Sequence, residues 1–495
     1  MTARRPDRRV LAAGALATAG LLLAACVPAT QVRVPSPTPP AASPSPSRTP
    51  HFAPGAARSD DRLFPELGDG GYDATHYAIT VGYTSSGKAI TGDAVVTATA
   101  TQDLSNFALD LRALTVSSVT VDGRPARFSR AGDKLVVTPA TGIPLGATFA
   151  THIVYGGVPK TYEAPGLGTE GFHSYAGQQA IAQGEPHVAA SWYPVDDRPG
   201  DKATYDIAIT APVADVALAG GVLTAKTPAS GGRQTWHWTE SAPMASYLAF
   251  VAIGRYRLHT STHNGRPVLV AVASSLPTSV DRVLAQTPRI TDFLASQFGP
   301  YPFDAEGGIV HDDPVFGFAL ENQTRPVYSA AFFRNTSTSY QTSVIAHELA
   351  HQWYGDSVSL AQWQDIWLNE GFATYAMWLW TEHQGGASPL QTFTQLYNSG
   401  KLPKEAPGRL DRRHIFDNTP YNRGAATLEA LRISIGDAAF FQTIRAWAAQ
   451  HRYGNGTTDE FIALAAQISG KNLVPLFTAW LDTATRPAFP KRLPG

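Results

Sequence analysis

Cysteine is almost missing from this chain: Cys26 is the only one in 495 residues. A single cysteine excludes an internal disulfide framework and any zinc site built on thiolates. Charge is scarce and balanced as well. Asp, Glu, Lys and Arg together make 16% of the chain, with 39 basic residues against 40 acidic ones and a formal net charge of -1. Such a chain lacks the basic surface that nucleic-acid binders carry, so no nucleic-acid partner is expected. Beyond residue 26 there is no apolar run long enough to span a membrane. What is present is apolar substance, 43% hydrophobic and 10% aromatic residues, enough for large cores. The length calls for two or three domains rather than one.

The one long apolar run opens the chain. Arg4, Arg5, Arg8 and Arg9 precede the stretch from Val10 to Ala25, which closes as Leu23-Ala24-Ala25-Cys26. Basic, then apolar, then small is the order of a secretory signal, and small residues before a cysteine resemble a bacterial lipoprotein cleavage box. Residues 1–26 are thus expected to be a lipoprotein signal peptide. Lipidated Cys26 would then anchor the protein to the membrane outside the cytoplasm. An ordinary signal peptide or an uncleaved anchor is the alternative. Residues 27–60 are Pro, Ser, Thr and Ala with little to bury, and read as a disordered linker.

Residues 61–257 alternate apolar and polar positions in short runs, among them His76 to Thr84, Asn106 to Leu111, Lys134 to Thr138, Phe149 to Tyr155, Tyr205 to Thr210 and Tyr247 to Ile253. Val116 to Val121 leads into Asp122-Gly123, a hairpin turn signal. The pattern predicts an N-terminal antiparallel β domain, a sandwich or a saddle. Residues 258–495 change character. Helical periodicity runs over Val280 to Phe298, Tyr340 to Tyr354 and Asp365 to His383, and four further helical stretches follow between Ala425 and Leu481.

The chemistry sits in the second half. His347-Glu348-Leu349-Ala350-His351 is an HExxH pattern. On a helix, positions i and i+4 share a face, so both imidazoles reach one ion. Tyr340 to Tyr354 holds no proline and one glycine, Gly355, follows it directly; Thr338 or Ser339 is the expected cap. A catalytic zinc takes three protein ligands and keeps the fourth position open. Glu370 is the candidate third ligand, separated from His351 by eighteen residues and flanked by Ile366, Trp367, Leu368, Phe372 and Ala373. A carboxylate in such apolar company needs a partner, and one Zn²⁺ per chain supplies it. Glu348, beside the ligands but not one of them, is placed to take a proton from activated water and pass it to a leaving amine.

The run HELAHQWYGD…WLNEGFATY, with its HExxH-x18-E spacing, resembles the M1 aminopeptidases, the gluzincins related to aminopeptidase N and leukotriene A4 hydrolase. Phe318-Ala319-Leu320-Glu321-Asn322 resembles the family's GAMEN motif, with Phe318 in place of the first Gly and Leu320 in place of Met. Gln183-Gly184-Glu185, followed by the run from Trp192 to Asp197 and by Lys202 to Tyr205, resembles the segment that brings up a second acidic residue. Pro420-Tyr421-Asn422-Arg423-Gly424 resembles the family's Tyr-x-(Lys/Arg)-Gly segment. The resemblance covers about residues 61 to 485.

It implies a thermolysin-like α+β catalytic domain over 258–495 and a zinc metallo-aminopeptidase acting on peptides with a free N-terminus, releasing one neutral or basic residue at a time. It also implies Glu321, Glu185, Asn322 and Ala319 as substrate-binding residues and Tyr421 as hydrogen donor to the oxyanion. Many family members continue into a helical C-terminal domain that closes the cleft. This chain ends at Gly495, so a more open site is expected. A monomer is expected as well. Three alternatives stay open: a zinc endopeptidase with an open cleft, a tethered peptide-binding lipoprotein without catalysis, and epoxide hydrolysis on the same metal site.

Overall fold

Alternation in the first half becomes sheet. In the computed structural model, which describes residues 48–164, 166–175, 179–228 and 231–493, the strand Tyr72–Thr84 buries Tyr77, Ile79, Val81 and Tyr83 while the residues between them stay more open. That is the period-two pattern of a half-covered sheet. The strand lies near the middle of an eight-stranded sheet, between Lys202–Pro212 and Ala89–Ala100. Its pairing with Lys202–Pro212 is parallel, Ile207 opposite Ile79. The expected antiparallel pairing holds for the other neighbours in this sheet, and this one pair makes it mixed. Parallel neighbours require a long crossover, and the intervening chain supplies it, contributing three strands each to two further sheets of four and five strands. Asp122 (φ 50°) and Gly123 (φ 73°) make the predicted hairpin turn. The stretch predicted as a strand from Tyr247 to Ile253 instead starts as a 3-10 turn, Ser246–Leu248, with a strand only at Val251–Gly254.

The expected signal peptide, Cys26 and the linker up to residue 47 lie outside the described residues. The end of that linker is corrected. Ala53–Pro54 pairs in parallel with the strand Leu104–Asp110. Asp61, 5% exposed, accepts hydrogen bonds from the backbone of Leu63, Phe64 and Trp363. A Pro/Ser/Ala composition offers few side chains to bury, but its backbone can still be satisfied by a sheet edge. Among the described residues no helix is long and apolar enough to cross a membrane.

The second half carries a five-stranded sheet in the order Tyr256–His263, Arg266–Ala273, Glu306–His311, Val327–Ser329, Ala319–Leu320. Its last member is a two-residue edge strand. Nine α-helices accompany it among the described residues: α1 Thr278–Leu284, α2 Thr287–Phe298, α3 Thr338–Ala350, α4 Trp367–His383, α5 Pro389–Asn398, α6 Gly424–Ile435, α7 Asp437–Gln450, α8 Thr458–Ser469 and α9 Val474–Phe477. The single helix expected from Val280 to Phe298 is two. Pro288 lacks the amide hydrogen and would clash with the carbonyl of residue 284, so the chain restarts there. The N-cap of α3 lies one residue before the expected caps: Ser337 accepts from the Tyr340 amide at 3.2 Å.

Helices α3 and α4 position the site, and aromatic packing positions them. Tyr354, just past α3, stacks on Phe372 of α4 with ring centroids 4.1 Å apart. Such a pair adds about 0.5–1.5 kcal/mol beyond its area burial. Trp367 at the start of α4 is fully buried and packs edge-on against Phe461 of α8.

Candidate metal centre and its cleft

His347 and His351 face the same side of α3, with His351 as its C-terminal cap. Glu370 sits in the first turn of α4, where the helix dipole favours a carboxylate. The last turn of α3 therefore meets the first turn of α4, and the two helices run antiparallel. Glu370 Oε2 lies 3.2 Å from His347 Nε2 and 3.6 Å from His351 Nε2. A tetrahedral zinc with bonds near 2.0–2.1 Å separates its ligand atoms by about 3.3 Å. The three side chains are grouped as one candidate metal cluster, and all three are buried at the ligand atoms. The donor set of two imidazoles and one carboxylate fits zinc. Glu321, Glu348 and His351 form an overlapping cluster, but it has only one imidazole and shares His351 with the first.

The orientation of the ligands has local causes. His351 Nδ1 donates to the Tyr354 carbonyl at 3.0 Å, which leaves Nε2 with its lone pair for a metal. Gly355 (φ 142°) makes room for that bond: a Cβ there would stand 3.1 Å from His351 Nδ1. Lys202 reaches from the β domain to the same turn and donates to the carbonyls of Asp356 and Ser357 at 2.7 and 3.1 Å. Burial pulls its pKa down to about 7, with Asp356 and Glu240 acting against it.

Tyr421 stacks beside His347, ring centroids 6.0 Å apart and 14° from parallel. It sits in a wide helical turn, Thr419–Arg423. Arg423 holds this turn. Its buried guanidinium donates to the carbonyls of Lys404, Glu405, Trp480, Ala479 and Thr483 at 2.6–3.0 Å. Gly424 then lets α6 touch α4. A Cβ on Gly371 would lie 2.8 Å from the Gly424 carbonyl carbon. Backbone thus meets backbone one residue after Glu370 and three after Tyr421. Gly371→Ala is expected to cost about 1–3 kcal/mol as overpacking and to lower turnover by shifting Glu370 against Tyr421. Urea unfolding and steady-state kinetics on the same variant check both halves. Wild-type stability and kinetics would refute the contact.

Glu321 follows the edge strand Ala319–Leu320 and is 2% exposed. Tyr247 donates to its Oε1 at 3.0 Å. Gln352, next to His351, donates to its backbone carbonyl at 2.8 Å and accepts from the Thr324 amide at 2.8 Å. Glu185 is equally buried, and its Oε1 has no hydrogen-bond partner among the described residues. His187 and Glu170 pair behind it.

A cleft of about 240 Å³ brings these groups together. It is lined by Glu185, Ala319, Glu321, His347, Glu348, His351, Glu370 and Tyr421, every predicted site residue but one. The exception is Asn322. Its amide donates to the Leu248 carbonyl at 2.9 Å, away from the cleft. Asn322 is fully buried and its Oδ1 has no partner among the described residues, so the structure places it next to Glu321 but outside the lining of the cleft. Sequence reasoning passed over Tyr247, Gln352, Arg423 and Gly371. Gln352, Arg423 and Gly371 lie inside the motif runs, which was the available signal. Tyr247 gave none.

The electrostatics follow from burial. Burial raises the pKa of Glu185 well above the usual carboxylate range, and Glu321 raises it further. Burial likewise raises Glu321, with His351 acting against it and Glu370 with it. Burial raises Glu348 strongly, again opposed by His351. Burial would raise Glu370 too, but His351 and His347 overcome it and bring it to about 2. Carboxylates crowded into one dry cleft favour a cationic guest.

Comparison with known proteins agrees with this geometry. Residues 284–480 match the peptidase family M1 domain, and residues 73–248 match the peptidase M1 N-terminal domain. The chain is 26% identical over 346 residues to aminopeptidase M1-C of Oryza sativa subsp. japonica, covering 65% of this chain and 39% of that protein. It is 26% identical over 412 residues to aminopeptidase N of Lactobacillus delbrueckii subsp. lactis, covering 76% and 46%. The chain thus spans less than half the length of these curated relatives. A crystal structure of an M1 zinc metallopeptidase from Deinococcus radiodurans matches with TM-score 0.80 and 30% identity, over 88% of this chain and 99% of that one. A mutant of that enzyme bound to a Tyr-Ser-Ala substrate matches with TM-score 0.79 at the same identity, over the same shares of the two chains.

Proposed function

Because the chain belongs to peptidase family M1, we propose that it is a zinc aminopeptidase that removes residues from the free N-terminus of peptides. The observation that carries this reading is the pair of buried carboxylates, Glu185 and Glu321, lining the same cleft as the metal ligands. Two acids that form no ion pair with a Lys or Arg among the described residues suit an α-ammonium group. Fixing that group sets which peptide bond reaches the centre, an orientation effect.

His347, His351 and Glu370 hold the zinc. When bound, zinc supplies Lewis acidity, polarising the scissile carbonyl and lowering the pKa of a water molecule. Glu348 takes the proton of the attacking water on a carboxylate oxygen and passes it to the departing amine. Tyr421 donates its phenol hydrogen to the oxygen that gains charge. Tyr421→Phe should lower kcat by about 10²–10³-fold with KM little changed, the cost of one oxyanion donor. A kcat within a factor of two of wild type on an aminoacyl arylamide would remove Tyr421 from this role.

Aminoacyl arylamides and their N-acetylated counterparts, with and without a zinc chelator, test the whole reading. Chelator-sensitive cleavage of the free-amine set alone supports it. Equal cleavage of blocked substrates moves the assignment to an endopeptidase. No cleavage of either by zinc-loaded protein leaves a binding protein.

We extend the proposal to location on the sequence alone: the basic, apolar and small segments ending at Cys26 support export and lipid anchoring. Cys26→Ser should abolish incorporation of labelled fatty acid and release the protein from the membrane fraction. Membrane retention without label would refute the anchor.

A further inference from the structure

Resting on the aminopeptidase reading, we infer that the enzyme selects the second residue of its substrate, the one after the cleaved bond, for a large apolar side chain.

The cleft has a direction. Glu321 is tied to Gln352, the residue after His351, so the amine-binding acids stand at the C-terminal end of α3. The metal ligands come next. The remaining length of cleft then follows α3 back toward its N-terminus. His351, His347, Val344 and Tyr340 are spaced four, three and four residues apart and share one face. Tyr340 therefore stands about 10 Å along the axis from His347, at 1.5 Å per residue. Helix α4 runs the other way. Met377 lies two turns beyond Glu370, as Tyr340 lies two turns before His347, and it lines the same cleft. Phe332, in the turn Ala330–Phe333 shortly before α3, completes this wall.

A peptide held by its amine at the acid end and by its first carbonyl at the metal must run toward this wall. Its second side chain meets Val344, Met377, Tyr340 and Phe332. None of these is charged. No charged lining residue comes from α3 before His347 or from α4 after Glu370. A large aliphatic or aromatic side chain gains by burial there. A charged one would lose water and find no partner. Tyr340 is 43% exposed and stands at the mouth, so it can be exchanged without opening a core.

The test uses the full, zinc-loaded chain and tripeptides that differ only in the second residue, Ala-Leu-Ala, Ala-Phe-Ala, Ala-Gly-Ala, Ala-Asp-Ala and Ala-Lys-Ala, with release of the first alanine as readout. The expected kcat/KM for Leu or Phe exceeds that for Gly by about 10–100-fold, the scale on which apolar pockets discriminate. Tyr340→Asp should shrink the Leu/Gly ratio and raise Lys over Leu. Met377→Ala should also shrink the Leu/Gly ratio. The first-residue ratio, Leu-Gly-Ala to Ala-Gly-Ala, should stay as in wild type. Cleavage with a flat second-residue profile overturns the inference and leaves the aminopeptidase reading standing. So does a Tyr340→Asp variant that changes only the first-residue ratio. Absence of cleavage of every free-amine peptide overturns the aminopeptidase reading, and the inference falls with it.

Discussion

Glu348→Gln is expected to lower kcat by about 10³–10⁴-fold while the protein keeps its full zinc content. The size is that of a lost general base. Glutamine matches the shape of glutamate and can still accept a hydrogen bond, but it takes no proton at neutral pH. The metal is held by other side chains, His347, His351 and Glu370, so metal content and turnover should separate. Glu348 is only 6% exposed, Glu370 is committed to the two histidines, and in the proposed function Glu321 and Glu185 are given to the substrate amine. Metal analysis beside steady-state kinetics decides the matter. A fully metallated variant with kcat near wild type would falsify the assignment of Glu348 as base.

Glu321→Ala is expected to act on a different quantity. It should lower kcat/KM for free-amine substrates by about 10²-fold or more, since removing one partner of a buried charge pair costs about 3–5 kcal/mol. The penalty for N-acetylation should shrink in the same variant. Stability should move the other way. In the free enzyme Glu321 is a buried acid close to Glu185 and Glu370, and burial and these neighbours disfavour its charged form. Removing it relieves the cost of that burial and repulsion, against the loss of the Tyr247 hydrogen bond and of the attraction to His351. A melting temperature equal to or above wild type, with a collapse in kcat/KM, is the signature of a group kept for binding rather than folding. A variant that melts lower and still discriminates against blocked amines would show a structural role instead.

The metal site was legible because it obeys local rules. A helix fixes the i, i+4 relation of His347 and His351, and a buried carboxylate must find a partner, which singled out Glu370. Strand positions were legible for the same reason, with period-two burial along Tyr72–Thr84. What escaped depends on groups far apart in sequence. Nothing near Tyr247 says that its hydroxyl meets Glu321, and nothing near residues 53–54 says that a sheet edge waits at Leu104–Asp110. Asn322 looked like a substrate residue because it sits in the motif, yet its partner is the Leu248 carbonyl. The parallel pairing of the first and later strands was likewise invisible, because alternation gives the face of a strand but not its neighbour.

The guanidinium of Arg423 is bound to carbonyls that belong to residues 404, 405, 479, 480 and 483. All three metal ligands come earlier in the chain than any of these. The turn bearing Tyr421 is thus fastened by stretches of chain that contribute no metal ligand. A lesion at residues 479–483 would loosen Tyr421 without removing any group that holds the ion.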